Sequence, residues 1–528
     1  MVSPTFEQIS QRAQQQAEAC NWDAARKDWL DALALVPDSV EVMLELSYVE
    51  SLSGHYRVAH DWALRAAKAG PSSLDAVVPL VQRLRTFNAI PQMRALVAQL
   101  LADGRTPVAV LVECARQLSN LNDFDLALRC AEAATAKAPD DLAARLVRGQ
   151  LLASHGRIND AAADINWALA HQPGIPIAWW MLSRLHKQTP ESNHVSQLRS
   201  FLATPGLHPD HVSALARALH KELDDIGAHD EAWQALELLC KARRSTEHYD
   251  RAAHHELMDA LMAWAPGKPG AAAVQVKAKT PIFIVGMHRS GTTLLEQLLS
   301  ASPQLLGLGE LNDFSSAMRH AADHYCRGPI DLTIVERAAG IDFSAVGQRY
   351  QEGVAWRLGD ESFFADKQPS NFLNIGFICQ ALPQAKILHM VRDPVETCFS
   401  NLRELFTEIN PHSYGQQDMA DYFLQYRRLM AHWHAMFPGR ILDVDYARLT
   451  ASPECTMREV AAFCGIDYTD GMRSTASSGR AIATASSIQV REGVVRRERP
   501  KWAPYARQLQ PLITALRQGG IEVPELPA

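Results

Sequence analysis

One interval governs what the N-terminal half of this 528-residue chain can fold into. Ala25, Trp29, Ala32 and Pro37 are matched 34 residues later by Ala59, Ala63, Ala66 and Pro71. The same offsets return at Ala127, Ala131, Ala134 and Pro139, and again at Ala161, Ile165, Ala168 and Pro173. Spacings of four and three put each trio on one face of a helix, where small side chains let a neighbouring helix approach closely, and the proline ends the helix. The copy expected near Met93 to Arg105 has lost its small residues and its proline, so that repeat is degenerate. A chance alanine-rich bundle would not keep one register through four copies. The period predicts a solenoid of helix–turn–helix units, each burying its apolar face against the next.

The offsets, together with Trp179 six residues beyond Pro173, resemble the tetratricopeptide repeat. The resulting plan is a repeat array over 1–188, a further helical repeat or capping region over 189–264, a linker over 265–280, and a second domain over 281–528. The linker assignment rests on composition, since APGKPGAAAVQVKAKT is rich in Pro, Gly, Ala and Lys.

Bulk properties narrow the function. Apolar residues make up 47% and charged residues 21%, as in water-soluble globular chains, and the net charge of −7 offers no general attraction to nucleic acid or an anionic membrane. Any anion site must therefore be local. The N-terminus lacks a signal-type apolar core, and no stretch reaches the 18 or so apolar residues of a membrane span, so a soluble cytoplasmic protein is expected. The nine cysteines are scattered without a C-x-x-C pair and read as reduced thiols. His432 and His434 face different directions on a predicted helix, so no metal site is expected.

The chemistry begins at Pro281, with PIFIVGMHRSGTTLLEQLLSASP. Ile282 to Val285 suits a buried strand of a parallel sheet, and Thr292 to Ala301 has helical composition. The glycine loop between them, from Gly286 to Gly291, aims backbone N–H groups and the positive end of a helix dipole at an anion. Its spacing is that of a nucleoside-triphosphate P-loop, but Thr292 stands where the phosphate-reaching lysine belongs, which argues against an ATPase, GTPase or kinase. Arg289 offers a forked cation instead.

This loop, with Arg289, Ser290, Gly291, Thr292 and Thr293, resembles the 5′-phosphosulfate loop of the sulfotransferase superfamily, and within it the bacterial repeat-containing and protein-tyrosine sulfotransferases. The resemblance runs in blocks from Pro281 to Trp502. It implies an α/β, P-loop-like sulfotransferase domain with a central, mainly parallel sheet. Its donor would be 3′-phosphoadenosine 5′-phosphosulfate (PAPS) and its product 3′-phosphoadenosine 5′-phosphate (PAP). In AKILHMVRDPVETCFSNLREL, Arg392 and Ser400 match the pair that holds the 3′-phosphate; the plainer alternative is a surface arginine paired with Asp393 or Glu396. In the block from Ile441, Tyr446 is either a nucleotide contact or a core tyrosine. In TASSIQVREGVVRRERPKW, the resemblance makes Ser486 a support of the transferred group and places Gln489, Arg491 and Lys501 near the nucleotide.

Sulfuryl transfer needs a base for the acceptor proton and cations for the developing charge. A helix of about ten residues runs some 15 Å away from the loop and a short returning strand covers a similar distance, bringing Glu310 back towards it. The tyrosylprotein enzymes place their catalytic glutamate in a corresponding Gly-Glu step. Glu310 is the candidate base, with Asp313 as the alternative and N-terminal helix capping as the plainer role. Lys367, in an Asp-Lys-x-Pro-x-Asn-Phe element of the family type, is the candidate clamp on the bridging oxygen. The acceptor is a hydroxyl, of a peptide tyrosine or otherwise of a sugar or small molecule, and the repeats are expected to hold it. The competing readings are a repeat adaptor with a degenerate nucleotide domain and a P-loop kinase.

Overall fold

A computed structural model describes residues 5–267, 279–406, 410–475 and 499–526. The second helices of the repeat units begin at Trp22, Tyr56, Ile90, Phe124 and Ile158, each 34 residues after the last. Ala25, Ala59, Ala63, Ala127, Ala131 and Ala161 are fully buried, as the close-approach argument requires. The degenerate copy keeps the register: its helix is Ile90–Ala102, and Met93, Val97 and Leu100 occupy the buried positions. Larger side chains thus fill the seam that alanines line elsewhere.

The molecule divides into two compact units that do not follow chain order. The first joins residues 1–148 to 312–357, and the second joins 149–311 to 358–528. The first unit groups the early repeats with the helices Asp313–Ala322, Leu332–Arg337 and Phe343–Val354 from the second half of the chain. Tyr56 packs edge-on against Phe87 at 5.1 Å and stacks on Tyr325 at 6.5 Å. The Ser316 hydroxyl donates to the Phe87 carbonyl at 3.3 Å, and Arg357 donates to the Leu121 carbonyl at 2.8 Å. This face of the array is therefore occupied by a segment of its own chain.

The second unit holds a five-stranded parallel sheet in the order β2-β3-β1-β4-β5. The strands are β1 (Thr280–Gly286), β2 (Leu305–Gly307), β3 (Phe363–Asp366), β4 (Lys386–Val391) and β5 (Ile441–Asp445). β1 is buried from Pro281 onward because it is central and covered on both faces, which explains its unbroken apolar run. Ile284, Leu295, Leu298, Leu388, Met390 and Val460 form the core beneath the glycine loop.

Within this unit the helices of 149–264 are tied to the later part of the chain by polar anchors. Asp224, at the end of helix Pro209–Asp225, accepts from Arg403 at 2.7 Å and from the Tyr505 hydroxyl at 2.5 Å. Arg244 donates to the Tyr414 carbonyl at 2.6 Å, and His255 meets Asp421 at 2.9 Å. None of the nine cysteines is in a disulfide. Among the described residues no helix is long and apolar enough to cross a membrane.

Candidate active site

β1 ends at Gly286 with φ +146°, where a Cβ would stand 2.8 Å from the Met390 carbonyl oxygen on β4. The loop then turns through Arg289 (φ +67°) and Gly291 (φ +109°). A Cβ on Gly291 would lie 2.5 Å from the Tyr446 ring, so glycine is needed for both conformation and space. Helix Thr292–Leu299 starts there without a side-chain cap, leaving its first N–H groups directed into the loop. The Ser290 hydroxyl is buried with no hydrogen-bond partner, and Thr292 and Thr293 are buried beside it. A phosphate-sized anion fits this donor set. Gly291→Ala should weaken PAP binding at least about tenfold, because either Tyr446 or the loop must move. Calorimetric titration checks this, and unchanged affinity would show that the loop tolerates the displacement.

Two separate sequence blocks, one with Arg392 and Ser400 and one with Tyr446, converge on the loop. Arg289 Nε donates to Ser400 Oγ at 3.2 Å, and Arg392 donates to the Arg289 carbonyl at 3.0 Å. The Arg392 guanidinium also lies 4.3 Å from the Tyr446 ring centroid. Arg392 makes the plainer contact as well, donating to Glu396 at 3.0 Å, while Asp393 caps helix Pro394–Leu402. Burial, reinforced by Arg392, Arg184 and Arg403, pulls the Arg289 guanidinium down to about 9. Such crowding of positive charge makes the loop a candidate anion site.

The returning chain is pinned on both sides. Glu296, from the helix after the loop, accepts the Gly309 N–H at 2.7 Å, and the Lys367 N–H donates to the Gly309 carbonyl at 2.9 Å. Next to this pin the Lys367 ammonium is bonded to the Glu310 carboxylate. The Lys367 side chain is fully buried, whereas that of Glu310 is 38% exposed. Glu310 therefore pairs with Lys367, and the cap of the helix that follows, Asp313–Ala322, is Asn312. His288 feels both groups: burial lowers its imidazole to about 4, opposed by Glu310 and aided by Lys367. Asp313 is set differently. It is buried in the first unit, where burial raises its carboxyl against the opposing effects of Arg357 and a hydrogen bond with Asn88.

Ser486, Gln489 and Arg491 lie outside the described residues. Lys501 precedes the buried Trp502. Reading the sequence alone missed Arg184, Arg217 and Glu404, which sit close to Arg289 in the fold; no motif marks them. Among the described residues one His/Asp group gathers three potential metal-ligand atoms within 4.8 Å, namely His389, His434 and Asp443. His389 Nδ1 and His434 Nε2 approach the same Asp443 oxygen at 2.7 and 2.8 Å, which are hydrogen-bond distances.

A family model described as the sulfotransferase family matches residues 281–470. An uncharacterized protein of Aquifex aeolicus (strain VF5) is 28% identical over 363 residues, covering 65% of this chain and 46% of its own length. A protein-tyrosine sulfotransferase of Drosophila melanogaster is 25% identical over 205 residues, covering 36% of this chain and 39% of its own. The chain thus spans less than half the length of either relative. Among solved structures, the sulfotransferase domain of the Synechococcus PCC 7002 olefin synthase aligns at 20% identity and a TM-score of 0.32, covering 49% of this chain and 100% of that one.

Proposed function

We propose, from the match of residues 281–470 to the sulfotransferase family model, that the protein transfers the sulfuryl group of PAPS to a hydroxyl acceptor. The observation that carries the reading is the buried Lys367 ammonium bonded to Glu310 beside the glycine loop. A carboxylate and an ammonium thus stand in contact just beyond the ends of β2 and β3, as this reading requires of a base and a cation. A kinase would need a lysine where Thr292 stands.

The donor supplies an activated sulfuryl group. Ser290, Thr292, Thr293 and the loop N–H groups hold its 5′ end, while Arg392 and Ser400 receive the 3′-phosphate, with Tyr446 beneath Arg392. Glu310 takes the acceptor's hydroxyl proton as the acceptor oxygen forms its bond to sulfur. Lys367 donates to the bridging oxygen as the bond from sulfur to that oxygen breaks, stabilising the charge left on the departing phosphate. Glu310 and Lys367 exchange their mutual contact for contacts to the two reacting oxygens. The similarity to the Drosophila enzyme favours a peptide tyrosine as acceptor, with sugars and small metabolites as the other hydroxyl classes.

Incubation with labelled PAPS and a cell extract should yield a labelled product that disappears in Glu310→Gln; binding of ATP with magnesium but not of PAP would refute the assignment. Arg392→Ala should weaken PAP by roughly 10–100-fold, the worth of a charged hydrogen bond to phosphate. Adenosine 5′-phosphosulfate, lacking the 3′-phosphate, should lose little. Equal losses for both ligands would remove Arg392 from the 3′-phosphate site.

A further inference from the structure

Arg217 belongs to helix Pro209–Asp225, far in sequence from the glycine loop, yet it forms an ion pair with Glu404. Its side chain is 5% exposed and its guanidinium lies 3.5 Å from the centroid of the Trp180 ring. Glu404, itself only 11% exposed, also stands 3.9 Å from Arg289, so one buried carboxylate lies between two guanidiniums. The two contacts differ. Glu404 bonds Arg217 directly but approaches Arg289 only loosely, while Arg289 Nε is directed to Ser400 Oγ. Arg184, which lies 5.3 Å from the same Trp180 ring and whose charge acts on both Arg217 and Arg289, adds to the positive surroundings.

A carboxylate at that place is a hazard for an anion site. At that separation, in a partly buried setting, a full negative charge acts strongly on its neighbours. Left alone, Glu404 would pair with Arg289 and repel an incoming phosphate. We infer that Arg217 is a positioning residue of the donor site, contributed by the helical region: by binding Glu404 it keeps that carboxylate from claiming Arg289, whose guanidinium then serves the donor anion. The ligand class is a nucleoside bisphosphate, and the inference rests on the donor reading above. It gives helix Pro209–Asp225 a part in donor binding, separate from any role of the early repeats with the acceptor.

The test uses the full chain, PAP and adenosine 5′-phosphate in calorimetric titrations, with thermal unfolding to confirm that each variant is folded. Arg217→Met should weaken PAP about tenfold, since Glu404 is then released to Arg289, while Arg217→Lys should keep most of the affinity. Glu404→Gln should leave PAP binding unchanged or tighten it. The double variant Arg217→Met with Glu404→Gln should return to wild-type affinity or better, a rescue that lost packing alone would not produce. Folded Arg217→Met with wild-type PAP affinity, or a double variant no better than the single one, overturns the inference while leaving the donor reading intact. Wild-type protein that binds no PAP overturns the donor reading, and the inference falls with it.

Discussion

Glu310→Gln should lower the rate of sulfuryl transfer roughly 10²–10⁴-fold, the usual contribution of a positioned general base, with PAP affinity unchanged. The amide has the size of the carboxylate and still offers an oxygen to Lys367, so the pinned segment around Gly309 keeps its hydrogen bonds to Glu296 and Lys367. What it loses is the ability to take a proton. Single-turnover transfer from labelled PAPS separates this effect from binding. A Glu310→Gln protein transferring at the wild-type rate would end the assignment. Asp313→Asn is the comparison, because Asp313 faces Asn88 and Arg357 in the first unit and should change stability more than rate.

The largest stability effect is expected at Asp224. Replacing it with alanine leaves Arg403, 18% exposed, without its 2.7 Å partner and strips the Tyr505 hydroxyl of its acceptor. Removing one partner of such a half-buried, charge-assisted pair typically costs about 1.5–3 kcal/mol, read here as a lower urea midpoint. The pH dependence has a matching sign. Burial by itself would raise the Asp224 carboxyl, but Arg403, His220 and the Tyr505 hydrogen bond outweigh it and hold it at about 2, below its ordinary 3.8. Its contribution is therefore present above about pH 4 and lost as pH falls towards 2. His220 acts earlier: burial, then Arg403, lowers its imidazole from 6.5 to about 4, so the folded state resists a proton that the unfolded chain accepts. Stability should decline from about pH 6.5 to 4 through His220 and from 4 to 2 through Asp224. The Asp224→Ala protein should lack the lower of these two declines. An unchanged acid profile would remove Asp224 from this role.

Much of the site was legible in the chain because its parts are local. A strand, a glycine turn and a helix start occupy adjacent residues, so local composition marked the loop, whereas Arg392 and Ser400 were singled out by their match to the family's Arg-x7-Ser pair. The alternatives left open at Arg392, Tyr446 and Glu310 were choices among partners, which spacing does not encode. In the fold Arg392 makes the plainer contact, bonding Glu396, and also donates to the Arg289 carbonyl and lies over the Tyr446 ring. Glu310 takes a lysine 57 residues away as its partner.

The 34-residue period by itself determined the stacked helices of the N-terminal half, since small residues at offsets of four and three dictate which helix face is buried. It determined even the register of the degenerate copy, whose helix at Ile90 falls in phase with the others. Only the tertiary structure decided what those helices hold. Phe87 receives Ser316 across 229 residues, and Asp224 receives Arg403 across 179. The physical reason is that helix periodicity and loop geometry arise from neighbours a few residues apart, whereas a buried charge takes whichever partner the packed chain brings within reach.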